Sequence, residues 1–234
     1  MATHLTRKEL KQDNVALKVE ETFDFFAKYR QHFIRYGGAA LALAVIVAAV
    51  FYYRGAQRDV RQQMLADAIA LQSAPVGTAP PNGGLSFPSD AAKKDAVVKS
   101  YNKLISEHGG SEEAYSAELA LATMDADSGN MPDARKKYQD VADHAGAGFA
   151  SMAKLSLAQL DFAENKTAEA QTMLKDLQDH PTELVSKIQA TYTLAKGLMP
   201  TQPEEARKLL IEIAGSKTDV AQIAVSALQE LPAK

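Results

Sequence analysis

The stretch that decides the fold is residues 128–134, which read SGNMPDA, because related stretches return twice further along the chain. Residues 164–170 read ENKTAEA and residues 200–206 read PTQPEEA, so the closing alanine recurs every thirty-six residues. Large residues stand four and seven positions after each alanine: Tyr138 and Val141, Leu174 and Leu177, Leu210 and Ile213. Steps of four and three residues follow one face of a helix, so each stretch predicts the start of a helix with one apolar face.

A second apolar pattern precedes each of these helices and predicts a partner helix. It is formed by Leu119, Leu121 and Ala122, by Leu155, Leu157 and Ala158, and, shifted by one residue, by Tyr192, Leu194 and Ala195. Val97, Tyr101 and Leu104 continue the pattern backwards and predict a half unit paired with a helix over 55–72. Two antiparallel helices per thirty-odd residues is the arrangement of tetratricopeptide repeats (TPR). The sequence therefore predicts an all-α fold, a TPR-like α-solenoid of about three and a half helical-hairpin repeats, closed by a capping helix over 220–231.

An apolar run of eighteen residues, 36–53, lies between Arg35 and Arg54 and contains no charge. At ~1.5 Å per residue a helix of this length covers about 27 Å, close to the hydrocarbon thickness of a bilayer. Tyrosines stand at both ends, where interfacial aromatic residues occur in membrane helices. The alternatives are a buried core helix and a cleaved signal peptide. The run is long for both, and no Ala-x-Ala cleavage site stands at its end, before polar sequence resumes, so we predict an uncleaved transmembrane helix.

The remaining chain divides around this run. Residues 1–35 are expected to form a tail with an amphipathic helix, because six apolar residues advance at helical spacing: Val15, Val19, Phe23, Phe26, Tyr29 and Phe33. A capping box at residues 6–9 favours a helix start there, and a loosely ordered tail is the alternative. Residues 54–73 are expected to continue the membrane helix, 74–90 form a Pro/Gly-rich loop, and 91–234 hold the repeats.

Charge favours a cytoplasmic N-terminus. Residues 1–36 carry seven Lys/Arg and five Asp/Glu, whereas residues 54–234 carry nineteen and twenty-four. Positively charged segments flanking a membrane helix tend to stay in the cytoplasm, so the repeat domain is expected on the far side. Within the span, Ala40, Ala44 and Ala48 recur every four residues and are candidates for contact with another transmembrane helix. Chance spacing in an alanine-rich helix is the alternative.

Several function classes are disfavoured by what the sequence lacks. It has no cysteine, no Gly-x-Ser-x-Gly elbow, no phosphate-binding glycine loop and no His-Glu-x-x-His motif, so no catalytic residue or cofactor site is predicted. An acidic main domain is unsuited to gripping nucleic acid. The paired acids Glu112-Glu113 and Glu204-Glu205 are interpreted as helix-start charges. We therefore expect a protein that is not an enzyme and that has no small-molecule substrate.

Three histidines, His108, His144 and His180, are also thirty-six residues apart. Equivalent positions on stacked units are separated by at least ~8–10 Å, whereas zinc needs its ligand nitrogens ~2.0–2.1 Å from one ion. No metal site is predicted for that reason. Each histidine closes the second helix of its unit, where an imidazole can meet free carbonyl groups.

What repeats of this kind offer is a concave surface lined by first helices. Met152, Gln159 and Phe162 are candidates for that protein-binding groove in the middle unit, because they miss the inferred seam between helices. Ordinary packing against a neighbouring unit is the alternative.

The layout resembles the ancillary SecYEG translocon subunit of bacteria, the YfgM type. The local resemblance lies in Val19-Glu20, in Phe25-Phe26-Ala27, in residues 96–122, in the second helix at Ala134 and in residues 155–158. It covers roughly residues 19–234. This chain departs from the family in its longer tail and in the Pro/Gly-rich loop at 74–90.

The resemblance implies a single-pass protein of the bacterial inner membrane, with a cytoplasmic N-terminus and a periplasmic repeat domain. It implies protein partners, namely the SecYEG translocon, a membrane-anchored prolyl isomerase and other periplasmic chaperones. A general cell-envelope scaffold in envelope assembly or division is the alternative. A third possibility is a repeat protein that regulates a cytoplasmic partner through the tail.

Overall fold

The structure is a computed structural model in which residues 7–78, 84–216, 218 and 220–231 are described, with side chains from residue 36 onward. These residues form α-helices joined by turns and loops, and a single backbone bridge between Val76 and Phe87. The helices are α1 Arg7–Ser73, α2 Asp90–His108, α3 Glu112–Asp127, α4 Met131–His144, α5 Ala147–Ala163, α6 Thr167–Asp179, α7 Lys187–Leu198, α8 Pro203–Ala214 and α9 Val220–Glu230. The predicted all-α class is confirmed.

The chain divides into two compact units, one up to Asp59 and one from Val60 onward. In the first unit the described backbone is helical from Arg7. The capping box at residues 6–9 and the apolar stripe of the tail involve side chains outside the described part of the chain. From Tyr36 the side chains are described, and they are exposed throughout the apolar run; Leu41, for example, is 68% exposed.

This apolar part of α1 is long and apolar enough to span a membrane. Its best eighteen-residue window has a mean hydropathy of 1.9, and none of that window is buried against protein. Among the described residues no other helix meets these criteria. A fully exposed surface of this composition is unfavourable in water, because each large apolar side chain left unburied forgoes about 1.5–3 kcal/mol.

The part of the chain from Val60 onward confirms the repeat pattern. Ala134, Ala170 and Ala206 are each 0% exposed. All six large residues that follow them at four and seven positions are buried as well. A side chain larger than a methyl group at these alanines would separate the two helices of a unit, since protein interiors are packed without spare space.

The partner helices match the prediction too. The alanines that end the predicted patterns, Ala122, Ala158 and Ala195, are all 0% exposed. The third of them confirms the one-residue shift in α7. Tyr192 and Leu194 in the same helix are half-buried, and each packs against a buried cluster.

The predicted half unit packs on the end of α1. Val97, Tyr101 and Leu104 of α2 share one buried cluster with Ala68 of α1. The Tyr101 hydroxyl donates a hydrogen bond of 2.8 Å to Gln72 Oε1, and burial raises the pKa of that hydroxyl. The pairing with a helix over 55–72 is therefore confirmed.

Between α1 and α2, two hydrogen bonds close the base of the Pro/Gly-rich loop. The backbone N–H of Gly77 donates to the carbonyl of Phe87 at 2.8 Å, and the N–H of Phe87 donates to the carbonyl of Pro75 at 3.0 Å. These bonds satisfy backbone N–H and C=O groups that have no helical partner, because prolines and glycines interrupt helical structure here.

The turn between α3 and α4 is nearly identical to the turn between α5 and α6. After α3, Asn130 N–H donates to the carbonyl of Asp125; after α5, Lys166 N–H donates to the carbonyl of Asp161. This bond, with a left-handed residue one position earlier, defines a Schellman helix end. The left-handed residues are Gly129 with φ 80° and Asn165 with φ 60°, again thirty-six residues apart.

At the end of the described chain, α9 closes the stack. Ala224 and Ala227 are buried against α7 and α8, whereas Gln222, Ser226 and Gln229 are exposed, together with Ile223 and Val225. The face of α9 turned away from α7 and α8 is therefore mixed in polarity.

Candidate protein-binding groove

The odd-numbered helices define one side of the stack. α3 contacts α5, α5 contacts α7, and α7 contacts α9. Within the described residues, α2, α4, α6 and α8 make no such contacts with one another. The first helices of the units are therefore closer together than the second helices, and they line the inner side of the stack, which is the surface that repeat proteins use for binding.

The three groove candidates of α5 differ in their surroundings. Met152 is 38% exposed and Gln159 is exposed. They are seven residues apart, so they lie two turns apart on one face of the helix. Phe162 is half-buried and packs against the cluster of Leu155 and Leu174.

Phe162 lies in the seam between α5 and α7. Its ring covers Gly197 so closely that a Cβ at this position would lie 2.6 Å from the ring Cγ, and closer still to two other ring atoms. Gly197 is therefore required by close approach, although glycine inside a helix costs about 1 kcal/mol relative to alanine. Only the outer part of the Phe162 ring is available to a partner.

The small residues of the apolar run have no protein neighbour in the structure. Ala40, Ala44 and Ala48 are exposed on α1, like the rest of this segment. Contact with another transmembrane helix stays a prediction.

Charged contacts join neighbouring helix pairs, and the sequence did not predict them. Arg135 of α4 donates to the buried carboxylate of Asp161 on α5 at 2.8 Å and also pairs with Glu164 at 3.1 Å. Burial lowers the pKa of Arg135, but the hydrogen bonds to both carboxylates outweigh it and raise that pKa overall. The pKa of Glu164 is lowered by hydrogen bonds, first from Lys166 and then from Arg135.

A second contact of this kind joins α1 to α3. Arg61 Nε donates to Glu113 Oε2 at 2.8 Å, and Glu113 is only 8% exposed. Glu113 stands in the first turn of α3, beside Glu112, as the helix-start interpretation predicted. It also has a structural role that the interpretation missed. Arg61 and Glu113 are 52 positions apart and follow no repeat in the sequence, so only the fold reveals that they pair.

Glu118 of α3 faces Asp140 of α4 across a helix pair. Burial first, and then the charge of Asp140 and a hydrogen bond to it, raise the pKa of Glu118 to about 7. Lys137 and His144 oppose this shift. Two carboxyl groups this close share a proton more readily than they carry two negative charges.

The histidines end helices, as expected. His108 and His144 are the last residues of α2 and α4, and His180 follows α6 directly. His144 Nδ1 lies 2.9 Å from the carbonyl oxygen of Asp140, and His180 Nδ1 lies 3.2 Å from that of Asp176. The imidazoles thus lie against carbonyl groups of the last helical turn, and the Asp176 carbonyl also accepts a hydrogen bond of 2.9 Å from the backbone N–H of His180, so it is not the free carbonyl that the sequence suggested. In the described part of the chain no group of three histidine or acidic residues is placed to hold a metal ion.

The antiparallel helix pairs and the inner surface define a helical-repeat protein. The sequence model of the family described as tetratricopeptide repeat-like domain matches residues 30–190. That match covers more than half of the chain, so the protein belongs to this family, and the predicted TPR-like fold is confirmed. No curated protein and no solved structure gives a significant match.

Membership of this family indicates an adaptor for protein–protein interaction, since such repeat domains typically serve as scaffolds rather than enzymes. The match identifies the repeat domain. It does not identify the ancillary translocon subunit that the sequence resembles.

Proposed function

We propose that this protein is a membrane-anchored adaptor whose repeat domain binds other proteins through the inner surface of α3, α5 and α7. The observation that carries the proposal is the combination of that surface with a fully exposed apolar helix at the other end of the chain. An anchor concentrates a binding surface beside a membrane, and binding there gains from a high effective concentration of other membrane proteins.

The groove has the chemistry of a protein-binding surface rather than a catalytic one. Met152 is flexible and apolar, and Gln159 offers both a donor and an acceptor for peptide backbone groups. Neither residue is charged, so these two positions suit uncharged parts of a polypeptide segment. We therefore place the contact with partners at Met152, Gln159 and the outer part of the Phe162 ring.

Partner identity rests on the resemblance alone. We propose the SecYEG translocon and periplasmic chaperones, including a prolyl isomerase, as partners at the periplasmic face of the bacterial inner membrane. The cytoplasmic N-terminus is supported by the charge of residues 1–36. A general scaffold for cell-envelope assembly or division would use the same anchor and the same groove.

Site-specific photo-cross-linking in membranes tests the groove and the partner together. A photoreactive side chain is placed at Met152 or Gln159 in the full chain, and at exposed Lys175 on α6 as the matched control. We expect the two groove positions to capture translocon or chaperone components and Lys175 not to. Capture of other envelope proteins at the groove would favour the scaffold. Equal capture from α6 would contradict the groove.

Orientation and anchoring have separate tests. The anchor predicts that the protein stays in the membrane fraction after alkaline extraction. A periplasmic repeat domain predicts protease cleavage in the 74–90 loop in spheroplasts but not in inverted vesicles. If residues 1–30 are essential while residues 90–234 are dispensable, the tail-mediated regulator is the better account.

A further inference from the structure

A cleft lies at the edge of the stack where α3, α5 and α7 begin. Its volume is about 930 Å³. Residues 146–149, at the start of α5, form one wall, and residues 181–184, in the turn before α7, form the other. Glu112, the first residue of α3, completes the rim.

The walls are largely apolar. Phe149 packs inward against the buried cluster of α4 and α5, and Leu184 is 45% exposed beside the cleft. Leu184 lies against Gly148, since a Cβ at this position would be 3.1 Å from Leu184 Cδ1, so glycine lets the two walls approach closely.

The turn that presents Leu184 is held in place. The Thr182 hydroxyl lies 2.7 Å from the hydroxyl of Ser151, and it accepts a hydrogen bond of 3.1 Å from the N–H of Val185. Val185 is 0% exposed and anchors the turn in the core. Leu184 therefore lies over Gly148 on a fixed backbone, with part of its side chain exposed.

The charges of the cleft have one sign. Of the lining residues, only Glu112 and Glu183 are charged, and both are exposed. Neither forms an ion pair with another described residue. A preformed apolar cleft with an acidic rim is complementary to an apolar side chain flanked by cations.

We propose that this cleft is a docking surface at the end of the groove, and that it takes a partner-protein segment carrying a large apolar side chain next to lysine or arginine. The inference rests on the proposed function, because the cleft is formed where the helices of the groove begin. Gly148 precedes Met152 by one turn on the same face of α5, so the cleft extends the groove with an acidic end.

The test uses the full chain in detergent micelles and fluorescence anisotropy of three short labelled peptides. The first has a Leu-Phe pair between lysines, the second has the same pair between glutamates, and the third has a Ser-Ser pair between lysines. We expect only the first to bind well, with the other two at least about tenfold weaker. No binding of the first peptide, or equal binding of the second, would overturn the proposal.

Variants locate the binding. Leu184→Ser should weaken the first peptide about tenfold, whereas Leu85→Ser, at a comparably exposed leucine of the 74–89 loop, should leave it unchanged. Glu112→Gln with Glu183→Gln should weaken it about fivefold at low salt and less at high salt. If neither Leu184→Ser nor the double glutamine variant weakens binding, the peptide does not bind in this cleft, and the proposal is contradicted.

Two further variants keep this test separate from that of the groove. Gly148→Ala improves helix propensity, so it is expected to fold, but its Cβ would displace Leu184 and should weaken the peptide. Gln159→Ala changes the groove about 16 Å further along α5 and should leave this short peptide unaffected. If Gln159→Ala weakens the peptide and Leu184→Ser does not, the segment binds in the groove alone, and the cleft is refuted while the proposed function stands.

Discussion

The contact between Phe162 and Gly197 gives a prediction whose sign depends on the fold. Gly197 lies inside α7, where alanine is normally better than glycine by about 1 kcal/mol. In this structure the added Cβ would meet three atoms of the Phe162 ring, all of them within 2.6 Å. Overpacking of this kind typically costs about 1–3 kcal/mol. We therefore expect Gly197→Ala to reduce the free energy of unfolding by about 1 kcal/mol, although helix propensity alone would increase it.

The assay is urea unfolding of the full chain in detergent, followed by far-ultraviolet circular dichroism. A double-mutant cycle with Phe162→Leu isolates the contact, because the smaller side chain gives space to the new methyl group. The cycle should yield a favourable coupling of about 1 kcal/mol or more. If Gly197→Ala raises stability and shows no coupling to Phe162→Leu, α5 and α7 are not packed as described, and the reasoning fails.

Three further predictions concern stability. Asn165→Gly should stabilise the fold by about 0.5–1 kcal/mol, because glycine adopts the left-handed φ of 60° without steric cost; thermal unfolding measures this. Ala170→Leu should destabilise by about 1–3 kcal/mol in urea unfolding, because residue 170 is fully buried between helices, whereas Ala168→Leu, exposed on the same helix, should change little. Glu118→Gln should become more stable relative to the wild type as pH rises from 5 to 8, by about 1 kcal/mol, in urea unfolding at both pH values.

The sign of the last prediction follows from the raised pKa of Glu118. A carboxyl group with a folded-state pKa of about 7 favours folding while it is protonated, and that stability is lost as pH rises through 7. Glutamine does not titrate, so the variant avoids the loss. Because Glu118 is only half-buried, solvent screens the repulsion from Asp140, which keeps the expected effect small. Parallel pH profiles of the two proteins would contradict the shared-proton interpretation.

The sequence was sufficient for the fold because its signals are periodic. Ala134, Ala170 and Ala206 recur at one spacing, and the apolar positions that follow them identify the buried face of each helix. Even the one-residue shift in α7 could be predicted. Ala195 lies on the buried face of its helix, although it follows Ala158 by thirty-seven residues rather than thirty-six.

The contacts between faces could not be predicted in the same way. Arg135 reaches Asp161 in the next unit, and Glu118 meets Asp140 across a helix pair, yet neither pair follows the period. The effect of Phe162 on Gly197 depends on the distance between two helices, which a pattern of burial does not specify. Asn165 adopts the same left-handed turn as Gly129, although its residue type only permits that conformation and does not require it.

The central claim is that a membrane-held repeat domain binds proteins through the inner surface of α3, α5 and α7. The most direct measurement is affinity purification of the full chain from mild detergent, comparing the wild type with two double variants. One is Met152→Glu with Gln159→Glu in the groove, and the other is Thr172→Glu with Lys175→Glu on the exposed side of α6. The account predicts that a protein partner co-purifies with the wild type and the α6 variant and is lost from the groove variant. Equal recovery from all three proteins would contradict it.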